Sequence, residues 1–459
     1  MIESAFSDRV FVVTGTLLSL SRKDAEASIV AAGAVVSGDV SKSTHVLVMG
    51  DKPGSKLAKA KALGVEIWDE TQLLNELERA VSYQEVLESL ACDRDWEVRL
   101  EVAENASAAA MVLERLARDK VADVRRGVAG NQSAPARVLE QLSADKRWDV
   151  RAAVAENVNT PASAIGRLAT DKIVEVRRGV VENASVPSRV IEILVVDDDS
   201  WIRAMIGQGE STPARVLKRL AADYDPDVRA AVAANTSAPS EVLQQLSIDA
   251  DDHIRYVVAE NTSAPPRALN KLASDDSVYV RRAVAWNGSS PVAVLDRLAA
   301  DEDEDVRRGV AGNVGSPGSA LELFATDGSA DIRGEIAGNQ MAPAGVVQLL
   351  ATDKSVRVRR QIAANVNVPA EVLKSLVSDK DADVRTNIAR NERTLSGVLS
   401  QLANDVSAKV RGGVAENVKT PRAALETLSL DSDPKVRANV KSNPRSTLAM
   451  RASAALLEQ

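Results

Sequence analysis

The sequence predicts a small α/β domain over residues 1–80, an all-α solenoid of fourteen 26-residue helical repeats over residues 81–447, and a closing helix over residues 448–459. Two observations lead to this prediction. Near the amino terminus, short β-branched runs alternate with segments of helical spacing. A 26-residue unit then recurs without insertion or deletion from Asp93 to Asn443. Such a fixed period indicates stacked units that bury their apolar sides only against their neighbours.

The first 80 residues contain seven predicted elements. Apolar β-branched runs bounded by glycine or polar residues predict strands at 9–14, 34–40, 45–49 and 65–68. Apolar residues at helical spacing predict helices at 21–32, 56–63 and 70–80. Gly33 and Gly64 directly follow the first two helices, where glycine is typical of a helix end. This alternation predicts a small parallel sheet covered by helices.

Each repeat is predicted to form two helices. An Asp opens every unit, an Arg follows six residues later, and an Asn stands six residues after the Arg in every unit except the fifth, which has Gly209. The first helix begins near a proline such as Pro135, with Ser133 as a candidate cap, and the second begins after an Asp such as Asp145. We expect the Asp to cap the second helix and to pair with an Arg of its own or the next unit. We expect the Asn to satisfy backbone groups of the turn. These columns are therefore interpreted as architecture.

The first domain resembles a BRCT domain, in particular the subclass of bacterial NAD-dependent DNA ligases and of the large subunit of replication factor C. The resemblance rests on the segments FVVTGTL, VSKSTHVLVMG, GSKLAKAKALGV and IWDETQLL, taken in order. It implies a phosphate pocket made by the Thr and Gly after the first strand, an Arg opening the first helix and a Lys opening the second. The matching positions here are Thr14, Gly15, Arg22 and Lys56.

The chemistry of these four residues suits an anion. Backbone N–H groups at a glycine turn and a helix N-terminus attract negative charge, and Arg and Lys add countercharge. The alternative is that Thr14 and Gly15 only shape a turn and that Arg22 and Lys56 are ordinary surface charges. A phosphate ligand would be a 5′-phosphorylated DNA end or a phosphoserine peptide. Lysines nearby in sequence, which include Lys42 and Lys59, are candidates for contact with a DNA backbone.

The array resembles the variant leucine-rich repeat and, more distantly, HEAT repeats. The resemblance rests on the cyclic pattern D, VR, VA, N, P, L and LA. Within it, the residue after the repeated Asp is basic in the first four units, at Arg94, Lys120, Lys146 and Lys172. Stacked helices would place these cations along one edge beside the first domain, where they would continue a DNA path. The alternative is a solvated edge near the aspartates.

Composition narrows the function. The net charge of −8 gives no general attraction to nucleic acid, so any polyanion contact must be local. The single cysteine, Cys92, excludes an internal disulfide framework, and we expect it to be packed. No P-loop, dinucleotide fingerprint, nucleophile motif or metal-ligand cluster appears, so neither enzyme activity nor a cofactor is expected. No leader or membrane-spanning run appears, which favours the cytoplasm.

These observations lead to a hypothesis and its alternatives. The chain is expected to be a non-enzymatic DNA-binding protein that engages a phosphorylated DNA end or junction through its first domain. The solenoid would act as a rigid scaffold for a second macromolecule. The first alternative is a protein–protein interaction scaffold whose first domain binds a phosphopeptide or another protein. The second is that DNA runs along the array itself.

Overall fold

The computed structural model describes Phe6 and residues 9–456. The chain divides into two compact units between Ile206 and Gly207. The first unit contains the α/β domain and the first four repeats, and the second contains the repeats from the sixth onward. The division falls within the fifth repeat, the one that carries Gly209 in place of Asn.

The α/β domain contains a four-stranded parallel sheet of order β2-β1-β3-β4, as predicted. Its elements are β1 Val10–Thr14, α1 Arg22–Ala31, β2 Val35–Val36, β3 Val46–Met49, α2 Ser55–Leu63 and β4 Glu66–Asp69. The prediction of a strand over residues 34–40 was too long, because β2 spans only two residues. The polar stretch from Ser37 to Asp39 lacks the apolar run that a buried strand requires.

Helices pack on both faces of this sheet because its strands are apolar on both sides. Phe11 lies on one face, with its ring centroid 5.2 Å from that of Phe6 and 5.2 Å from that of Trp68. Ala25 and Ile29 of α1 belong to the same buried cluster. Val12, Leu47 and Ala60 of α2 form a second cluster. This arrangement leaves the carboxyl ends of β1 and β3 at one edge, beside the loops that precede α1 and α2.

One continuous helix, α3 Glu70–Leu90, connects the domain to the array. The predicted end of this helix near residue 80 was wrong, because the helix continues to Leu90. No glycine or proline interrupts this stretch, so nothing ends the helix. The carbonyl end of α3 already belongs to the array: Gln84 Nε2 donates to the Ser107 carbonyl at 2.5 Å, and Asn105 Nδ2 donates to the Tyr83 hydroxyl at 2.8 Å.

The array consists of short helix pairs. The longer helix of each pair follows the repeated Asp: α4 Trp96–Glu104, α6 Ala122–Gly130, α8 Trp148–Glu156, α10 Val174–Glu182, α12 Ser200–Gln208, α14 Pro226–Ala234, α16 Asp252–Glu260, α18 Val278–Trp286, α20 Glu304–Gly312, α22 Ala330–Gly338, α24 Val356–Ala364, α26 Ala382–Arg390, α28 Ala408–Glu416 and α30 Pro434–Ser442. The shorter helix follows the repeated Asn: α5 Ala110–Leu116, α7 Ala136–Leu142, α9 Ala162–Leu168, α11 Ser188–Leu194, α13 Ala214–Leu220, α15 Ser240–Leu246, α17 Pro266–Leu272, α19 Val292–Leu298, α21 Gly318–Phe324, α23 Ala344–Leu350, α25 Ala370–Ser375, α27 Ser396–Leu402 and α29 Arg422–Ser429. The final helix is α31 Leu448–Leu456, and the last three residues of the predicted closing helix lie outside the described residues.

Within the part of the chain that the structure describes, the buried Arg of most units binds the Asp of the following unit. Arg125 Nε donates to Asp145 Oδ2 at 2.6 Å and its Nη2 donates to Asp145 Oδ1 at 2.9 Å, while Nη1 donates to the backbone carbonyl of Asp119 at 2.7 Å. The same contacts recur within both compact units, for example from Arg385 to Asp405. The Asp is not itself the helix cap. Asp145 Oδ1 accepts from the N–H of Arg147, which occupies the cap position of α8.

Hydrogen bonds keep the carboxylates of the repeated Asp residues ionised. Burial raises the pKa of Asp145, but the hydrogen bonds from Arg125 and from the Arg147 N–H outweigh it, so the net pKa lies below the usual 3.8. The same balance lowers the pKa of the corresponding carboxylates at Asp119 and Asp405. The charged columns therefore hold neighbouring repeats together, as the sequence analysis expected.

The Asn column also joins neighbouring repeats. Asn131 is the C-cap of α6, and its Oδ1 accepts from the N–H of Ser133 at 2.8 Å. Its Nδ2 donates to two carbonyls of the preceding unit, those of Ala103 at 2.7 Å and Asn105 at 2.9 Å. The predicted turn contact is present, but the link between units was missed. Ser133 is not a helix cap, because that position is taken by Pro135.

Among the described residues, no helix is long and apolar enough to cross a membrane, and no group of His, Cys, Asp and Glu is arranged to hold a metal ion.

The prediction that Cys92 is packed was wrong. Its side chain is exposed, and its Sγ accepts from Arg115 Nη1 at 2.9 Å. Cys92 lies just after α3 and directly before the repeated Asp93, at a position that is exposed.

Candidate phosphate site

The turn after β1 is clamped against the loop that leads into α2. Thr14 is buried, and its hydroxyl donates to the carbonyl of Pro53 at 2.9 Å. Gly15 has a positive φ of 78°, and a Cβ at this position would lie 2.6 Å from the Asp51 carbonyl oxygen. Only glycine fits this conformation and this close approach. The structure therefore brings Thr14 and Gly15 beside the start of α2.

The N-terminus of α2 has N–H groups without a side-chain cap. Its cap residue is Gly54, with a φ of 63° and no side-chain hydrogen bond, and no acidic residue occupies the first turn. Lys56 lies in that first turn, and its Nζ donates to the Gly38 carbonyl at 2.6 Å. The helix end and the ammonium group together create positive potential next to Thr14 and Gly15.

Arg22 lies at the start of α1, and no hydrogen bond or ion pair among the described residues joins it to the other three candidates. Its Nε donates to Glu26 Oε1 at 2.8 Å, and both side chains are partly exposed. Ser21 caps α1 by accepting from the Asp24 N–H at 3.1 Å. The structure therefore brings together Thr14, Gly15 and the start of α2 but does not place Arg22 in contact with them.

Glu70 fixes the loop between Gly15 and Arg22, a role that the sequence analysis missed. Its carboxylate accepts from the backbone N–H groups of Leu18 and Ser19, each at 2.5 Å, and of Leu20 at 3.2 Å. The hydrogen bonds from Leu18 and its neighbours lower the pKa of Glu70. These three N–H groups are occupied by a carboxylate of the protein, whereas the N-terminus of α2 has no side-chain cap. Glu70 lies about fifty residues from this loop in sequence, so local sequence patterns could not predict the contact.

The candidate DNA-backbone cations are all at the surface. Lys42 is exposed, and Lys59 is exposed and paired with Asp39 at 3.0 Å. The hydrogen bond from Lys59 lowers the pKa of Asp39. In the array, exposed side chains occur at each of the four predicted edge positions, Arg94, Lys120, Lys146 and Lys172. None of these four makes an ion pair within the part of the chain that the structure describes. Their role stays a prediction.

The N-terminal domain matches a known domain family. Residues 2–77 match the model of the BRCA1 C terminus (BRCT) domain family. The N-terminal domain is a BRCT domain. It is 49% identical over 79 residues to a DNA ligase of Anoxybacillus flavithermus, covering 17% of this chain and 12% of that protein. It is 56% identical over 69 residues to a DNA ligase of Exiguobacterium sibiricum, covering 15% of this chain and 10% of that protein. The likeness thus spans about a tenth of each ligase.

The array matches repeat proteins. Residues 148–172 match the model of the leucine-rich repeat variant family. The chain is also similar to a solved leucine-rich repeat variant, with 25% identity, 48% of this chain and 87% of that chain covered, and a TM-score of 0.36. A mutant of Kap121p is 11% identical, with 84% of this chain and 54% of that chain covered and a TM-score of 0.39. The recurring helix pairs make the region after the BRCT domain a helical-repeat solenoid, and residues 148–172 carry variant leucine-rich repeat sequence.

Proposed function

We propose that this chain is a non-enzymatic DNA-binding protein whose BRCT domain engages the 5′-phosphate of a DNA end or junction. A BRCT domain joined to a helical-repeat scaffold supports a role in DNA repair or in protein interaction. The observation that favours a phosphate ligand is the packing of the Thr14–Gly15 turn against the loop before α2, next to the uncapped helix terminus and Lys56. Lys56 would exchange its Gly38 carbonyl for a phosphate oxygen. Arg22 would leave Glu26 to reach the same anion.

The repeats next to the BRCT domain would extend the contact with DNA. Arg94, Lys120, Lys146 and Lys172 are exposed at equivalent positions in four consecutive repeats. At a spacing of about 8–10 Å between packed helices, the row spans roughly 30 Å. Nine base pairs of duplex cover about the same length, from 3.4 Å per step. The columns of Asp, Arg and Asn serve the scaffold, and the chain as a whole would present a second macromolecule to the DNA end.

The first prediction concerns the 5′-phosphate. We expect the full chain to bind a short duplex with a 5′-phosphate more tightly than the same duplex with a 5′-hydroxyl. Lys56→Ala combined with Arg22→Ala should remove this preference, with a loss of about tenfold to a hundredfold. A hydrogen bond to a charged group contributes about 1.5–3 kcal/mol, and the net gain from the two is reduced because each side chain gives up an existing partner to reach the phosphate. Fluorescence anisotropy with end-labelled duplexes measures both affinities.

Lys61→Ala is the matched control, since Lys61 lies in the last turn of the same helix. It should leave the preference for the 5′-phosphate intact. Equal affinity of the wild-type chain for both duplexes would contradict the proposal. A phosphoserine peptide that binds through Lys56 and Arg22, while neither duplex binds, would favour the protein-interaction scaffold instead.

The second prediction concerns the edge of the array. Charge reversal by Lys120→Glu, Lys146→Glu and Lys172→Glu should flatten the dependence of log affinity on log salt by about 3, since each phosphate contact contributes about 0.9 to the slope. The control is Lys354→Glu with Lys380→Glu, the same position in later repeats. An unchanged slope in the triple variant would remove this edge from the DNA path.

A further inference from the structure

Aromatic side chains gather on two neighbouring helices of the second compact unit, although aromatic residues make up only 3% of the chain. On α16, the rings of His253 and Tyr256 stack with centroids 6.4 Å apart. On α18, Tyr279 is 60% exposed and Trp286 is 44% exposed. Exposed Trp and Tyr side chains that cluster in this way are typical of binding surfaces. The sequence analysis did not single out Trp286.

Two glycines of the next repeat leave the space that the Trp286 indole occupies. A Cβ on Gly309 of α20 would lie 3.0 Å from Trp286 Cδ1, and a Cβ on Gly312 would lie 2.8 Å from Cη2. The indole therefore occupies space that ordinary side chains at these two positions would fill. One side of the ring is supported by the backbone of α20, and the remaining exposed area of the ring is open to a ligand.

The charge around this indole is negative. Glu260 lines the same cavity of about 440 Å³ as Tyr256, Arg282 and Trp286. It accepts a hydrogen bond from the Tyr256 hydroxyl, which raises the pKa of Tyr256. On the other side, Glu335 Oε2 lies 3.4 Å from the Cβ position of Gly312, next to the indole. Neither Glu260 nor Glu335 forms an ion pair with a described residue.

Arg282, the basic residue that lines the cavity, already contacts an aromatic ring and a carboxylate. The Arg282 guanidinium lies 5.4 Å from the centroid of the Tyr279 ring and 3.9 Å from Asp305. Asp305 also pairs with Arg308 at 2.8 Å. An anionic ligand would meet the two uncompensated glutamates, whereas a cationic ligand would neutralise them. Charge complementarity therefore disfavours a nucleic-acid strand at this site.

We propose that this cavity binds a lysine or arginine side chain from a basic segment of a partner protein, with the cation against Trp286 and beside Glu260. Glu335, on the other side of the indole, adds to the negative charge that attracts this cation. A ring face attracts a cation through its quadrupole, and nearby carboxylates add charge attraction. Tyr256 and Tyr279 would contact the aliphatic part of the partner segment. This site is independent of the BRCT phosphate pocket, and its function does not rest on DNA binding.

The test uses the full chain and a fluorescently labelled tetralysine amide, with the Nε-acetylated tetralysine as the neutral probe. We expect saturable binding of the charged peptide and little binding of the acetylated one. Trp286→Ala should weaken binding by about fivefold or more, in line with a partly desolvated cation–π contact. Glu260→Gln with Glu335→Gln should weaken it to a similar extent while keeping the shape of the surface.

Trp96→Ala is the matched control, because Trp96 is 38% exposed and belongs to the first repeat. It should change the affinity by less than about twofold. Circular dichroism and thermal melting establish that each variant is folded, and the Gln double variant tests the charge alone. Equal affinities for the charged and acetylated peptides, or equal effects of Trp286→Ala and Trp96→Ala, would overturn the proposal. Trp286-dependent binding of oligothymidylate in place of tetralysine would overturn it as well.

Discussion

Replacing Arg125 with Ala is expected to lower the free energy of unfolding by about 3–5 kcal/mol, because it leaves a buried carboxylate without its partner. The side chains of Arg125 and Asp145 are only 8% and 9% exposed. The substitution also removes the donor that the backbone carbonyl of Asp119 uses at 2.7 Å. Urea unfolding followed by circular dichroism measures the change, which should appear in the transition of the first compact unit.

The adjacent Arg126 supplies the control. Its side chain is 50% exposed, and its ion pair with Asp123 at 3.4 Å lies within one helix. Arg126→Ala should therefore change the stability by less than about 1 kcal/mol. A similar loss in both variants would show that the buried column does not hold the repeats together. Both variants replace an Arg of the same helix with Ala. The difference between their free energies of unfolding therefore reports the effect of burial and pairing, not of residue type.

Replacing Asn365 with Ala is expected to cost at least about 2 kcal/mol, since a buried polar group left unsatisfied costs about 1–3 kcal/mol. Asn365 Nδ2 donates to the Ala337 carbonyl at 2.9 Å and to the Asn339 carbonyl at 3.0 Å. Its Oδ1 accepts from the N–H of Asn367 at 2.9 Å. The substitution removes two hydrogen bonds between two repeats and one within the turn.

Asn367→Ala is the comparison for this effect. Asn367 lies two residues later, is exposed, and makes one side-chain bond to the Gln340 carbonyl at 3.0 Å. We expect it to cost less than about 1 kcal/mol. Chemical unfolding of the second compact unit provides the measurement. If the two variants unfold at the same urea concentration, the Asn column contributes only locally and the link between repeats has no energetic weight.

The repeat made most of the architecture predictable. A Val, Arg, Asn or Leu that returns every 26 residues must occupy the same environment each time, so one unit such as Asp119 to Ala144 describes the array. The pattern did not reveal which neighbouring unit the repeated side chains contact. The Asn side chain was assigned to its own turn, because turn chemistry acts over two or three residues. Its second bond reaches back 28 residues, from Asn131 to Ala103.

The BRCT domain was predictable from local chemistry except where distant residues meet. Gly64 has the positive φ of 69° that its position after a helix suggested. Glu70 and Pro53 were missed, since their contacts with the Leu18–Leu20 loop and with Thr14 join segments far apart in sequence. The continuous α3 was missed because Leu87 and Leu90 occupy the leucine positions of the repeat, so a new helix was assigned there without a helix stop signal before it.

The proposed phosphate site of the BRCT domain is tested most directly by amide hydrogen exchange of the full chain with a 5′-phosphorylated duplex. We expect slower exchange at the start of α2, around Ser55 to Leu57, on addition of this duplex. The 5′-hydroxyl duplex should leave those amides unchanged. Protection of the same amides by both duplexes, or protection confined to other parts of the chain, would contradict the assignment of this terminus to the DNA-end phosphate.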